Sequence, residues 1–109
     1  PTAIVELTRI FGPKSFAIVD GIVGMEGNGP IQGKPKPAGV LVMGSDLPAV
    51  DATCCRIMGI NPDNVEYLQM AADRLGVIDE KRIDQRGESI ASVRTNFELI
   101  KQFSHLRLA

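Results

Sequence analysis

Asp20, Glu26, Asn28, Asp46 and Asp51 place carboxylates and a carboxamide within one half of the chain. Oxygen donors of this kind, joined by carbonyls that glycine leaves accessible, suit hard divalent cations such as magnesium or calcium. Asp20, Glu26 and Asp46 are therefore candidate metal ligands. Asp20, Glu26, Gly27, Asn28, Gly29 and Asp51 are candidates for holding a small polar ligand. Their spacing departs from the helix-loop-helix calcium pattern. Each acid also has a plainer use. Asp20 and Asp46 can end or cap an element, and Asp51 can anchor N–H groups of a neighbouring loop.

Several of these residues fall in Asp20–Pro37, a stretch rich in glycine and proline with an apolar run on either side. Glycine lets backbone approach a ligand closely and proline limits the entropy lost on ordering, so the stretch reads as a shaped functional loop. Gly27-Asn28-Gly29 with Lys34 and Lys36 could form an anion-binding nest. Pro35 stands after Gly33-Lys34, where a phosphate-binding loop needs Ser or Thr and a helix start, so nucleotide binding is not supported.

Cys54 and Cys55 are adjacent, and a disulfide between neighbours needs a strained backbone. Two thiols without a spaced framework favour a reducing, cytoplasmic setting, and no iron–sulfur cluster is expected within this chain. A thiol-redox reading of the pair requires one reactive cysteine. The one histidine is His105, and a serine-hydrolase nucleophile elbow is lacking. No residue is assigned a catalytic role.

The elements that must position these groups follow from periodicity and punctuation. Thr2–Ile10 reads as a helix capped by Thr2 and stopped by Gly12-Pro13. Phe16–Val19 and Ala38–Gly44 are continuous apolar runs and read as buried strands. Asp46 caps a helix with Pro48 in its first turn, Leu47, Val50, Cys54, Ile57 and Met58 on one face, and Gly59 as the left-handed stop. Asn61-Pro62 opens another helix with Val65, Leu68, Ala72 and Leu75 as its stripe. Beyond Gly76 the expectations are a short strand at Arg82–Gln85, an extended Ile90–Val93, a helix at Phe97–Phe103, and a fraying end from Ser104. Two strands and interspersed helices imply one α/β domain over residues 1–109 with a small, partly parallel or mixed sheet. The long connection favours a parallel pair, which would bring Asp20 and Asp46 to one edge; a hairpin would separate them.

Composition narrows the function classes. The 109 residues suffice for one domain, and 44% apolar content argues against disorder. With a formal charge of −1 and neither a basic stripe nor an aromatic platform, nucleic acid is not an expected partner. Apolar runs fall short of the roughly 20 residues that span a bilayer, so a membrane is not expected either.

The motifs Val19-Asp20-Gly21, Met25-Glu26-Gly27-Asn28-Gly29-Pro30 and Ser45-Asp46-Leu47-Pro48-Ala49-Val50-Asp51-Ala52, continued by Arg56-Ile57-Met58-Gly59-Ile60, resemble the later portion of the "domain of unknown function 362" family. The likeness runs over roughly residues 1 to 88, and residues 89–109 match less well. The family domain is longer, which with Pro1 implies a piece of a larger domain. The resemblance also implies a redox-linked parent, because many members carry ferredoxin-like cysteine modules elsewhere. It supplies no established catalytic residues. Two functions follow as expectations: a site for a divalent cation or small polar ligand in the glycine-rich stretch, or a non-catalytic module docking to a missing N-terminal part. Self-association is a further expectation, since a fragment exposes apolar surface.

Overall fold

A computed structural model describes every residue, Pro1–Ala109. Helix α1 spans Thr2–Phe11. Pro1 precedes it and no side chain caps it, so Thr2 begins the helix rather than capping it. Its half-buried residues include Val5 and Thr8, and it packs against the third helix. A 3-10 turn at Gly12–Lys14 ends it where Pro13 was expected to.

Strands β1 (Ala17–Asn28) and β2 (Gln32–Gly44) form one antiparallel pair. The sheet is thus antiparallel only, and the expected parallel crossover is replaced by a long hairpin. The stretch Asp20–Pro37 is correspondingly not a loop. Most of it is strand, with the turn confined to Gly29-Pro30-Ile31. The register explains why glycine and proline are tolerated there. Gly27 lies opposite Gly33, Met25 opposite Pro35, Val23 opposite Pro37 and Glu26 opposite Lys34. Each proline sits in a strand with a free edge, where its missing N–H removes no inner ladder bond. A register shift between Gly21 and Val23 marks a bulge.

Helix α2 (Leu47–Ile57) forms as its sequence predicts, capped by Asp46 and with Pro48 in its first turn. Gly59 takes φ 76°, the left-handed stop that glycine tolerates best. More than half of the 13 buried residues lie on this helix, so the core sits around it. Ala52 and Cys55 meet Leu68 and Ile78, with Ile60, Val65, Tyr67 and Ala72 packed around them. Cys55, not Cys54, is the more buried thiol.

A 3-10 turn at Pro62–Asn64, capped by Asn61, leads into α3 (Glu66–Ala71), shorter than expected because Asp73 adopts φ 62° and its N–H turns back to the Gly76 carbonyl. The expected strand at Arg82–Gln85 does not form; a 3-10 turn covers Glu80–Arg82. Ile90–Val93 is helical (α4), because Ser89 accepts the Ser92 N–H as an N-cap. The expected helix over Phe97–Phe103 gives way to extended backbone and a 3-10 run at Lys101–Leu106. The terminus is tied down instead of fraying. Asn61 donates to the Leu106 carbonyl at 2.7 Å and Leu108 to the Gly59 carbonyl at 2.9 Å.

Candidate functional site

Asp46 is committed to backbone donors. One oxygen accepts the Ala49 N–H at 3.0 Å, and the other accepts the Val77 N–H at 3.1 Å. Gly76 presses so close that an added Cβ would overlap the Asp46 carboxylate. Asp20 lies mid-strand opposite Leu41, with Oδ1 accepting the Ile22 N–H at 3.1 Å across the bulge. Six strand positions separate Asp20 from Glu26, on the order of 20 Å along an extended strand. The hairpin thus keeps Asp20, Glu26 and Asp46 apart, and no three His, Cys, Asp or Glu side chains are grouped so as to hold a metal ion.

Glu26 lies on the other face of the hairpin and holds the C-terminal half of the chain. Its Oε2 accepts the Glu98 N–H at 2.7 Å and stands 3.8 Å from Lys36 Nζ. The Gly27 N–H donates to the Glu98 carbonyl at 3.0 Å, and Lys34 reaches the Glu98 carboxylate at 3.1 Å. Asn28 spans the hairpin tip, donating to Gln32 Oε1 at 3.0 Å. Gly29 and Gly33 leave room for the Met25 side chain, which lies over both. Gly27, Asn28 and Gly29 therefore shape a tip that is closed on itself.

Asp51 does not reach the glycine-rich stretch. It accepts the Tyr67 hydroxyl at 3.1 Å, bracing α2 against α3. Burial, and secondarily the Asp51 charge, raise the Cys54 thiol to about 11 and the Cys55 thiol to about 12. The same two causes push the Tyr67 phenol up. These thiols are protonated near neutrality, opposite to what a redox-active pair needs.

Two features missed in the sequence frame the site. Arg56 is buried in α2 and donates to the Ile78 carbonyl, with Glu80 at 3.8 Å from its Nε. Its Nη1 has no partner. A basic residue one position from Ile57 and Cys55 of the buried face was the available signal. Phe97 is buried against Gly24 on the inner face of the hairpin. Nothing in the local sequence ties residue 97 to residue 24.

Two surfaces stand open. A groove of about 720 Å³ runs along β2 from Gly39 to Gly44, lined by Ala49, Val50, Thr53 and Ile57 of α2 and walled by residues 82–88. The second surface is the outer face of the hairpin. The inner face packs on α2 and Phe97, but Ile18, Leu41 and Met43 on the outer face remain 68%, 60% and 60% exposed. Phe16, Ile22, Val23 and Met25 are likewise exposed. On α1, Leu7, Ile10 and Phe11 add a second uncovered apolar stripe. Asp20 is the carboxylate within the outer face, between Ile18 and Ile22. No helix is long and apolar enough to cross a membrane.

The comparisons with known proteins agree with the motifs. The thylakoid-associated protein sll1697 of Synechocystis sp. is 34% identical over 74 residues, which cover 68% of this chain and 22% of the relative. The chain thus spans about a fifth of that relative's length. No solved structure matches it. Residues 1–56, which hold α1, the whole hairpin and most of α2, match the family described as Domain of unknown function (DUF362). The chain belongs to that family.

Proposed function

We propose that this chain is a docking module, a helix-backed β-hairpin whose outer face is covered by another part of a longer polypeptide. The observation that carries this is the composition of the strands. Val19, Val40 and Val42 face inward, while Ile18, Leu41 and Met43 face outward, so both faces are apolar over the same residues. Strands buried on one side alternate apolar and polar residues, whereas strands covered on both sides read as continuous apolar runs. A two-stranded hairpin is also marginal without further packing. The much greater length of the Synechocystis relative supports a source for that cover within one polypeptide.

This reading ranks above cation or small-ligand binding at Asp20, Glu26 and Asp51, and above a redox role for the parent. Asp46, Glu26 and Asp51 already accept hydrogen bonds from the fold, and the candidate ligands lie apart. The test is sedimentation of the 109-residue chain with and without Leu41→Lys plus Met43→Lys. The unmodified chain is expected to self-associate with rising concentration and to bind a hydrophobic dye. The double variant is expected to stay monomeric, to lose most dye binding and to keep its circular dichroism. A monomeric, dye-free unmodified chain would remove the docking reading.

A further inference from the structure

Resting on the docking reading, we propose that the sheet continues past β2. An extended segment of the same longer polypeptide adds as a strand along Val40–Gly44, seated in the groove between that edge, α2 and residues 82–88.

The two edges of the hairpin are not equivalent. Edge β1 is occupied near its tip, where the Gly27 N–H bonds to Glu98, and the bulge falls on β2, where Ala38 and Gly39 stand opposite Ile22. Bulges are a common way of closing an edge to pairing. The first half of β2 carries Pro35 and Pro37, which have no N–H to offer. Val40–Gly44 has neither defence. It contains no proline, its register with β1 is regular, and its backbone groups directed away from β1 make no hydrogen bond to any other part of the chain. A row of unpaired amides and carbonyls is a template for strand addition.

The groove fits such a guest. Its lining includes Ala49, Val50, Thr53 and Ile57, small or apolar side chains of α2, which packs against β2. Side chains of an added strand alternate between the two faces. One set would cover this lining, and the other would extend the apolar outer face of Ile18, Leu41 and Met43. The guest is therefore a strand with apolar residues on both faces, like β2 itself.

A second copy of the chain is a poorer occupant. Its own β2 edge is recessed between α2 and residues 82–88, so two such edges do not meet. Its β1 edge could enter only head to tail, an arrangement that propagates rather than closes. The relative, of which this chain covers 22%, has ample polypeptide to supply the strand.

The test is photo-crosslinking in the polypeptide as its gene encodes it, with p-benzoylphenylalanine at Gln85 on the groove wall or at Ile18 on the outer face. Gln85 is expected to cross-link to an apolar segment of the same polypeptide outside residues 1–109. Alternate amides of Val40–Gly44 are expected to exchange slower, on the order of a hundredfold, than in the 109-residue chain alone. A Gln85 cross-link only to a second copy or a separate protein would overturn the proposal, as would none. An Ile18 cross-link without one at Gln85 would end strand addition while leaving the docking reading standing. Silence at both positions would end both.

Discussion

The Val77 N–H meets the Asp46 carboxylate at 3.1 Å, joining the start of α2 to a segment 31 residues further along. The same carboxylate accepts the Ala49 N–H at 3.0 Å as a helix cap. Sequence spacing could place Asp46 at the cap but could not show that its other oxygen was also taken.

Asp46→Ala removes both acceptors and strands the Val77 N–H in a partly buried position. The expected cost is about 2–4 kcal/mol, combining a lost cap with an unsatisfied donor. Asp46→Asn keeps a capping oxygen and is expected to lose about half as much. Urea unfolding of the three proteins, with and without a chelator, checks this. A stability loss that appears only without chelator would return Asp46 to the role of metal ligand.

Glu26 is expected to act as a clamp between the hairpin and the extended residues near Glu98. Glu26→Ala should cost about 1–3 kcal/mol, in the range for hydrogen bonds to a charged group. Its signature is local, with faster amide exchange at Gly27 and Glu98 and little change in α2. Glu26→Gln retains an acceptor for the Glu98 N–H and should restore most of that protection. Uniform destabilisation of the whole chain by Glu26→Ala would contradict the clamp.

The helices of the first half were legible because their signals are local. Asp46-Leu47-Pro48 and Gly59 fix the two ends of α2 within its own sequence. The single α/β domain was legible for the same reason. The hairpin was not, because glycine and proline between Asp20 and Pro37 are loop signals taken singly. They become strand-compatible only when Gly27 finds Gly33 and the prolines fall on an open edge. The C-terminal third was less legible still. Its backbone bonds to distant groups, Thr95 to the Ile57 carbonyl and Phe97 to the Met58 carbonyl, leave no periodicity to read. Of the candidate site, the capping role of Asp46 was legible, but not that the hairpin would part Asp20, Glu26 and Asp46.

The buried thiols make stability fall in alkali, in the same direction as the raised Tyr67 phenol. Cys54 and Cys55 rise from 9.0 to about 11 and about 12 in the fold, mainly by burial, so the folded chain retains protons that the unfolded chain gives up. Their contribution is fully present below pH 9 and is lost as pH rises through the folded values. Unfolding free energy is expected to fall between about pH 9 and 12, the slope shrinking in Cys55→Ala after correction for its cavity cost. Alkylation by iodoacetamide at pH 7.5 should be slow in the folded chain and fast in urea. Rapid modification of either cysteine in the folded state would contradict the shielding and revive thiol chemistry.

Gly24 is a second place where the hairpin meets the C-terminal segment. A Cβ built there would lie 2.8 Å from the ring of Phe97, which is 6% exposed. Gly24→Ala therefore overpacks the inner face and is expected to cost about 1–3 kcal/mol. Phe97→Leu opens a void at the same place and is also expected to be destabilising. If the contact is the cause, the double variant should be more stable than the two single losses imply, with a coupling of about 1 kcal/mol or more. Additive losses would mean that Phe97 and Gly24 do not share the inner face. The hairpin would then be held to the rest of the chain by the α2 contact and by the Glu26, Gly27 and Lys34 contacts to Glu98.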